Sequence, residues 1–125
     1  MNVMDKQKPP RILCVEDDID SCEMISFLLG QSGIEVVSAQ TVAEALLLVE
    51  TDGFDLYLLD SSFPDGTGIE LCKKIRASDE NTPIVFYSGL SDESTREAGL
   101  DAGAQAYLIK PQDLEKIEPT IKSLV

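Results

Sequence analysis

The sequence predicts a doubly wound α/β domain, one parallel sheet with helices on both faces. Three observations predict it. Five short apolar runs alternate with five segments whose apolar residues recur at helical spacing. The central run, Leu56-Tyr-Leu-Leu59, is apolar at every position, as a strand covered on both faces must be. Glycine or proline stands at the joints, at Gly30, Gly33, Gly53, Pro83 and Gly103, so the connections are short. Short loops and right-handed crossovers then lay the helices on both faces of the sheet.

Taken in order, Met1 to Pro10 is polar, with Lys6, Lys8 and Pro9-Pro10, and is expected to be a flexible tail ahead of a domain at 11–125. Arg11-Ile-Leu-Cys-Val15 is the first strand. Ile19, Cys22, Ile25, Leu28 and Leu29 mark the first helix, which Gly30 and Gly33 stop. Glu35-Val-Val-Ser-Ala39 is the second strand. Thr41-Val-Ala-Glu44 is a capping box opening a helix with Val42, Ala45, Leu46 and Val49 on one side, closed by Asp52-Gly53. After the third strand, Pro64-Asp65-Gly66 signals a turn and Thr67 to Glu70 a second capping box, with Ile69, Cys72 and Ile75 as the inner stripe of the third helix. Ile84-Val-Phe-Tyr87 is the fourth strand, Ser91 to Ala102 a short helix, and Ala106-Tyr-Leu-Ile109 the fifth strand. Leu114, Ile117, Ile121 and Leu124 mark the last helix. Pro119, lacking an amide hydrogen, predicts that this helix kinks or starts late, from Glu118. The run Leu46 to Val49 and the phenylalanines are read as core.

Composition removes several functions. The chain has 125 residues, 10 Lys and Arg against 23 Asp and Glu, and a net charge of −13, so phosphate backbones and anionic membranes repel it. A hydrophobic content of 43% still gives it a core to bury. Histidine is absent, which excludes a Ser-His-Asp triad, a histidine general base and imidazole metal ligands. Cys14, Cys22 and Cys72 are an odd, unclustered set, better read as buried reduced thiols than as disulfide or zinc ligands. The start lacks a signal-peptide core, and the longest apolar run, Ala45 to Val49, falls far short of the ~20 residues of a membrane span. The expectation is a cytoplasmic protein with no membrane insertion and no direct contact with nucleic acid.

In open α/β sheets ligands bind beyond the carboxyl ends of the strands. There the first strand runs into Glu16-Asp17-Asp18, the third into Asp60, the fourth into Ser88 and the fifth into Lys110-Pro111. If the first and third strands are neighbours, three carboxylates converge, and two like charges ~4 Å apart at an effective dielectric near 20 repel by ~4 kcal/mol. Such a set calls for cations. Hard oxygens without histidine or thiolate favour Mg²⁺, and one Mg²⁺ with Lys110 balances Glu16, Asp17 and Asp60. Asp18 or Asp20 is better read as a helix N-cap. Ser88 taken alone is equally a turn serine bonded to its own backbone. Gly66-Thr67-Gly68 lacks the third glycine of a dinucleotide fingerprint and a following Walker lysine, so it reads as turn and helix start.

Four stretches together, Ile12-Leu-Cys-Val-Glu-Asp-Asp18, Phe54 through Asp60 to Gly68, Pro83-Ile-Val-Phe-Tyr-Ser-Gly89 and Gly103 to Pro111, resemble the receiver domain of two-component response regulators, chemotaxis-type single-domain receivers among them. The likeness runs from about Arg11 to the C-terminus. It implies a flavodoxin-like (βα)5 fold with strand order 2-1-3-4-5. It further implies that Asp60 is the phosphoacceptor, that Glu16, Asp17, Asp60 and the Ser62 backbone carbonyl hold Mg²⁺, and that Ser88 and Lys110 contact the phosphoryl group. Ser88 and Tyr107 would form the switch, with Tyr107 turning inward on activation, and the Lys110-Pro111 bond would be cis. The donor would be a phosphohistidine on a sensor histidine kinase or histidine phosphotransfer protein. The output would be an altered affinity for a downstream protein, or a dimer formed on phosphorylation. The only chemistry implied is self-phosphorylation and autodephosphorylation.

The sequence departs from the family pattern in places. The acidic pair is Glu-Asp rather than Asp-Asp, a common variant that favours Asp17 over Glu16 as the direct metal ligand. Ser61-Ser62 follows the acceptor where a bulky apolar residue is usual, Leu90 lies two residues after Ser88, and Gln112 replaces a frequent phenylalanine. The span Met1 to Val125 is expected to be a receiver without an output domain; a receiver fragment of a longer regulator or hybrid kinase is the nearest alternative. A Mg²⁺-dependent phosphohydrolase of the haloacid dehalogenase type also uses an aspartate nucleophile, but would want an acid where Ser62 stands. A flavin-binding module of similar topology lacks an aromatic pair at the expected loops, and a purely scaffolding receiver would not need the full set of site residues.

Overall fold

The computed structural model describes residues 8–51 and 53–125; the tail expected over 1–10 lies outside it except for its last three residues, and so does Asp52. The chain forms β1 (Arg11–Val15), α1 (Ile19–Gly30), β2 (Glu35–Ala39), α2 (Val42–Thr51), β3 (Leu56–Leu59), β4 (Ser62–Phe63), β5 (Gly66–Thr67), α3 (Gly68–Ser78), β6 (Ile84–Ser88), α4 (Glu93–Asp101), β7 (Ala106–Ile109), a 3₁₀ turn (Leu114–Lys116) and α5 (Ile117–Leu124). Five strands make one sheet in the order β2-β1-β3-β6-β7, every neighbouring pair parallel. This is the expected order once β4 and β5 are set aside. Those two form a separate antiparallel hairpin just past Asp60, pairing Ser62 with Thr67 and Phe63 with Gly66. The sequence suggested only a turn there.

The alternation of the strands builds two cores. Leu13, Val15, Tyr57, Leu59, Ile84, Phe86 and Tyr107 point to one face, where they meet Val42 and Ala45 of α2 and Leu71, Cys72 and Ile75 of α3. Ile12, Cys14, Leu56, Leu58, Val85, Tyr87 and Leu108 point to the other, covered by Ile25 and Leu29 of α1 and Ile117 and Ile121 of α5. β3 and β6 are therefore buried at every position, which is why their sequences do not alternate. All three cysteines are free and buried, as expected. Two residues read as core are not: Phe27 is 70% exposed and Leu47 67% exposed. At about 100° per residue, a run of four apolar residues such as Leu46 to Val49 cannot turn every side chain inward.

Helix starts follow the caps that the sequence predicts, with one addition. Asp18 caps α1 by accepting the Ser21 amide at 3.2 Å, and Thr67 with Glu70 forms a complete capping box on α3. At α2, Thr41 accepts the Glu44 amide at 3.1 Å, but Glu44 reaches the amide of Gln40 at 2.9 Å rather than that of Thr41. The remaining α2 amides are met from a distance: Asp65, in the β4–β5 turn, accepts from Val42 at 2.8 Å and Ala43 at 3.0 Å. α5 starts late, at Ile117, one residue before the expected Glu118 and behind the 3₁₀ turn. Pro119 thus falls in its first turn, where the missing amide hydrogen has no intrahelical partner to lose.

One glycine is fixed by space. A Cβ on Gly68 would lie 2.1 Å from the Asp60 carbonyl oxygen and 2.8 Å from the Phe86 ring, because the first turn of α3 is laid directly on the end of β3. Its amide donates to the Ser61 carbonyl at 2.9 Å.

Gly68→Ala should therefore cost on the order of 3 kcal/mol in urea unfolding. Gly30→Ala, with no atom within 4 Å of the added Cβ, should stay within about 0.5 kcal/mol of wild type; equal effects at the two glycines would contradict the contact. The two amides bound to Asp65 hold its carboxyl below its ordinary range, so the unfolded chain binds that proton more tightly than the folded one. The stabilisation is fully present above about pH 4 and is lost as pH falls through the lowered folded value. Urea unfolding across that acid range should show a shallower loss of stability for Asp65→Asn than for wild type; parallel curves would contradict the cap.

Candidate functional site

The parallel ladder continues one bond past the strands and fixes the backbone of the charged residues at their carboxyl ends. Glu16 donates its amide to Ala39 at 2.9 Å, Asp60 to Val15 at 3.0 Å and Lys110 to Ser88 at 2.8 Å. With β1 flanked by β2 and β3, the first and third strands are neighbours. Glu16, Asp17 and Asp60 each bring a carboxylate oxygen within 4.8 Å of the others. The convergence expected from the sequence is present.

Lys110 reaches across the sheet to hold this group. Its ammonium donates to Glu16 Oε1 at 2.6 Å and to Asp60 Oδ2 at 3.2 Å, and stands 5.6 Å from the centre of the Tyr87 ring. Glu16 is only 3% exposed. Burial raises its carboxyl above the ordinary value, the hydrogen bond from Lys110 pulls it down, and the charge of Asp60 pushes it up again, with a net rise. Burial likewise lowers Lys110, but the hydrogen bond to Glu16 and the negative charges of Asp60 and Glu16 outweigh it, and the ammonium is stabilised. Three carboxylates against one ammonium leave an excess of two negative charges, the charge of one divalent cation.

The oxygens differ in how free they are. Both Glu16 oxygens are engaged, Oε1 by Lys110 and Oε2 by the Asp18 amide at 3.1 Å. Asp60 Oδ1 accepts the Ser61 amide at 2.7 Å. Asp17 is exposed. Hard oxygen donors with this charge excess fit Mg²⁺, and neither histidine nor thiolate competes for softer metals. Ser62 stands two residues beyond Asp60 in β4 with its side chain exposed.

Ser88 ends β6 and is fully buried, with 0% exposure. Its hydroxyl donates to Ser61 Oγ at 2.6 Å and accepts the Leu90 amide at 3.0 Å. The turn-serine bond was one of its two readings; the contact with Ser61 carried no sequence signal. Tyr107, in β7, is 7% exposed, stacks on Phe86 with ring centres 5.4 Å apart, and donates its hydroxyl to the Leu90 carbonyl at 2.8 Å. Its ring is already turned inward in this conformation. The Lys110-Pro111 bond is cis.

The family model described as response regulator receiver domain matches residues 12–122. The chain belongs to the response regulator receiver family. Among its curated relatives, response regulator MprA of Mycolicibacterium vanbaalenii is 38% identical over 117 residues, covering 94% of this chain and 51% of that protein. Transcriptional regulatory protein PrrA of Mycobacterium tuberculosis is 36% identical over 116 residues, covering 93% of this chain and 50% of that protein. The receiver chain spans about half the length of the curated relatives it matches. Among solved structures, chemotaxis response regulator CheY4 of Vibrio cholerae superposes with a TM-score of 0.86 at 28% identity, covering 94% of this chain and 99% of that one. Response regulator TrrA of Thermotoga maritima, in complex with Mg²⁺ and beryllofluoride, gives a TM-score of 0.85 at 25% identity, covering 93% and 99%. The fold is thus the flavodoxin-like receiver fold, and the domain serves two-component signal transduction, in which response regulators receive phosphoryl groups from histidine kinases. Among the described residues no helix is long and apolar enough to cross a membrane.

Removing the ammonium strands a buried carboxylate. Lys110→Met should cost on the order of 3 kcal/mol in urea unfolding, and Glu16→Gln in the same chain should recover most of that loss because it removes the buried charge. Additive losses in the double variant would mean that the two side chains are not coupled.

Proposed function

We propose that this receiver is a phosphoacceptor: Asp60 takes a phosphoryl group from a phosphohistidine on a sensor histidine kinase or histidine phosphotransfer protein, and the modified domain changes its affinity for a downstream protein. The observation that supports this best is the meeting of Asp60, Asp17, Glu16 and Lys110 at the ends of three strands, with Ser88 at the end of a fourth. The receiver proper is proposed as 11–125, with 1–10 as a tail, acting in the cytoplasm.

In this reading an Asp60 carboxylate oxygen attacks phosphorus in line. The O–P bond forms as the P–N bond to imidazole breaks, and the electron pair leaves on the nitrogen. Lys110 holds Asp60 in place beforehand and turns its ammonium to the phosphoryl oxygens once the carboxylate charge is lost. Asp17, Asp60, Glu16 and the Ser62 carbonyl would hold Mg²⁺. Glu16, with both oxygens already accepting hydrogen bonds, would contribute its charge to that site rather than a free oxygen. Mg²⁺, when bound, supplies charge neutralisation at the phosphoryl oxygens. Ser88 leaves Ser61 to donate its hydroxyl to the phosphoryl group, which deprives the Leu90 amide of its acceptor. The Leu90 carbonyl also binds Tyr107, so from this conformation the change reaches that residue through its hydroxyl partner rather than through an inward turn of the ring. The downstream partner is a protein that reads this region, a second copy of the chain included. The acyl phosphate then hydrolyses on the domain itself, which is the extent of its catalysis.

Intact mass after incubation with Mg²⁺ and acetyl phosphate tests the reading. A single phosphoryl adduct on wild type and none on Asp60→Asn is the expected result. An adduct on both proteins would move the acceptor elsewhere. No adduct on wild type, joined by no response of its tyrosines to beryllofluoride with Mg²⁺, would overturn the proposal.

A further inference from the structure

The hydroxyl pair Ser61–Ser88 is not required by anything described so far. Ser88 is fully buried, and its hydroxyl proton has one acceptor, Ser61 Oγ at 2.6 Å. Its lone pairs receive the Leu90 amide at 3.0 Å, and the Leu90 carbonyl receives the Tyr107 hydroxyl at 2.8 Å. One continuous chain of hydrogen bonds therefore runs from the residue beside Asp60, across the β3–β6 boundary, to Tyr107 in β7. Its first link can break without Ser61 itself moving, since Ser61 is anchored by its own amide on Asp60 Oδ1 at 2.7 Å.

We propose that Ser61 is a positioning residue of the phosphorylation site. By accepting the Ser88 hydroxyl proton it keeps that hydroxyl away from Asp60, so the resting conformation is held by a bond that phosphorylation must exchange for another. The inference rests on the phosphoacceptor reading given above. A buried hydroxyl deprived of its acceptor is destabilised only in the state that used that acceptor. With phosphoryl oxygens present, Ser88 has an acceptor for its proton; at rest, with Ser61 truncated, the acceptor it uses in this structure is gone. Loss of the Ser61 hydroxyl therefore raises the free energy of the resting state relative to the modified one. An apolar side chain at position 61 could pack there, but it could not set this balance.

The experiment is a beryllofluoride titration in the presence of Mg²⁺, followed by the Leu90 amide resonance, on wild type, Ser61→Ala, Ser61→Thr, Ser88→Ala and the Ser61→Ala/Ser88→Ala double variant. Ser61→Ala is expected to bind beryllofluoride more tightly by roughly two- to tenfold, the range set by one hydrogen bond. Ser61→Thr, which keeps a hydroxyl, should return toward wild type. In the Ser88→Ala background, Ser61→Ala should have no effect, because the bond it removes is already gone. Unchanged or weaker binding by Ser61→Ala overturns the proposal, as does an equal gain in the Ser88→Ala background. A wild type that takes up neither beryllofluoride nor a phosphoryl group from acetyl phosphate overturns the phosphoacceptor reading and this inference together, whereas a wild type that takes up beryllofluoride while Ser61→Ala behaves identically overturns this one alone.

Discussion

The site depends on one ammonium. Lys110 stands at the end of β7, Asp60 at the end of β3 and Glu16 at the end of β1, so the ion pairs span most of the width of the sheet. Without Lys110, the carboxyl edge would carry three like charges at distances where repulsion amounts to several kcal/mol. With it, Glu16 stays buried, Asp60 is held in one orientation, and the residual charge is that of one divalent cation.

That condition was legible in the sequence because each charged residue directly follows a run whose residue types make it a strand. Asp60 after Leu56 to Leu59 and Lys110 after Ala106 to Ile109 could be placed at an edge before any contact was known. The strand order came from the receiver resemblance rather than from hydrophobic pattern, which says nothing about which strands are neighbours. The late start of α5 could be read from Pro119, whose missing donor restricts where the helix begins.

What could not be read depends on packing or on register. The Ser61–Ser88 bond exists because β3 and β6 pair Leu59 with Phe86, and no local pattern in either strand encodes that pairing. Asp65 was visible as a turn residue, but its hold on α2 needs the β4–β5 hairpin, whose two-residue strands are too short to show a period. Phe27 and Leu47 were misread because residue type is a one-way guide: buried residues are mostly apolar, but apolar residues are not all buried.

The contact between Gly68 and the Asp60 carbonyl gives the site a mechanical asymmetry. Behind Asp60, the first turn of α3 is seated without clearance, like a wall set against the end of the strand. On the other side stand hydroxyls whose bonds can be exchanged, at Ser61, Ser88 and Tyr107. Toward α3 the packing leaves no room for an added atom, whereas toward β6 and β7 the polar neighbours are joined by hydroxyl hydrogen bonds. A disturbance at Asp60 would thus meet close packing on one side and exchangeable hydrogen bonds on the other, an asymmetry present in the scaffold before any group arrives.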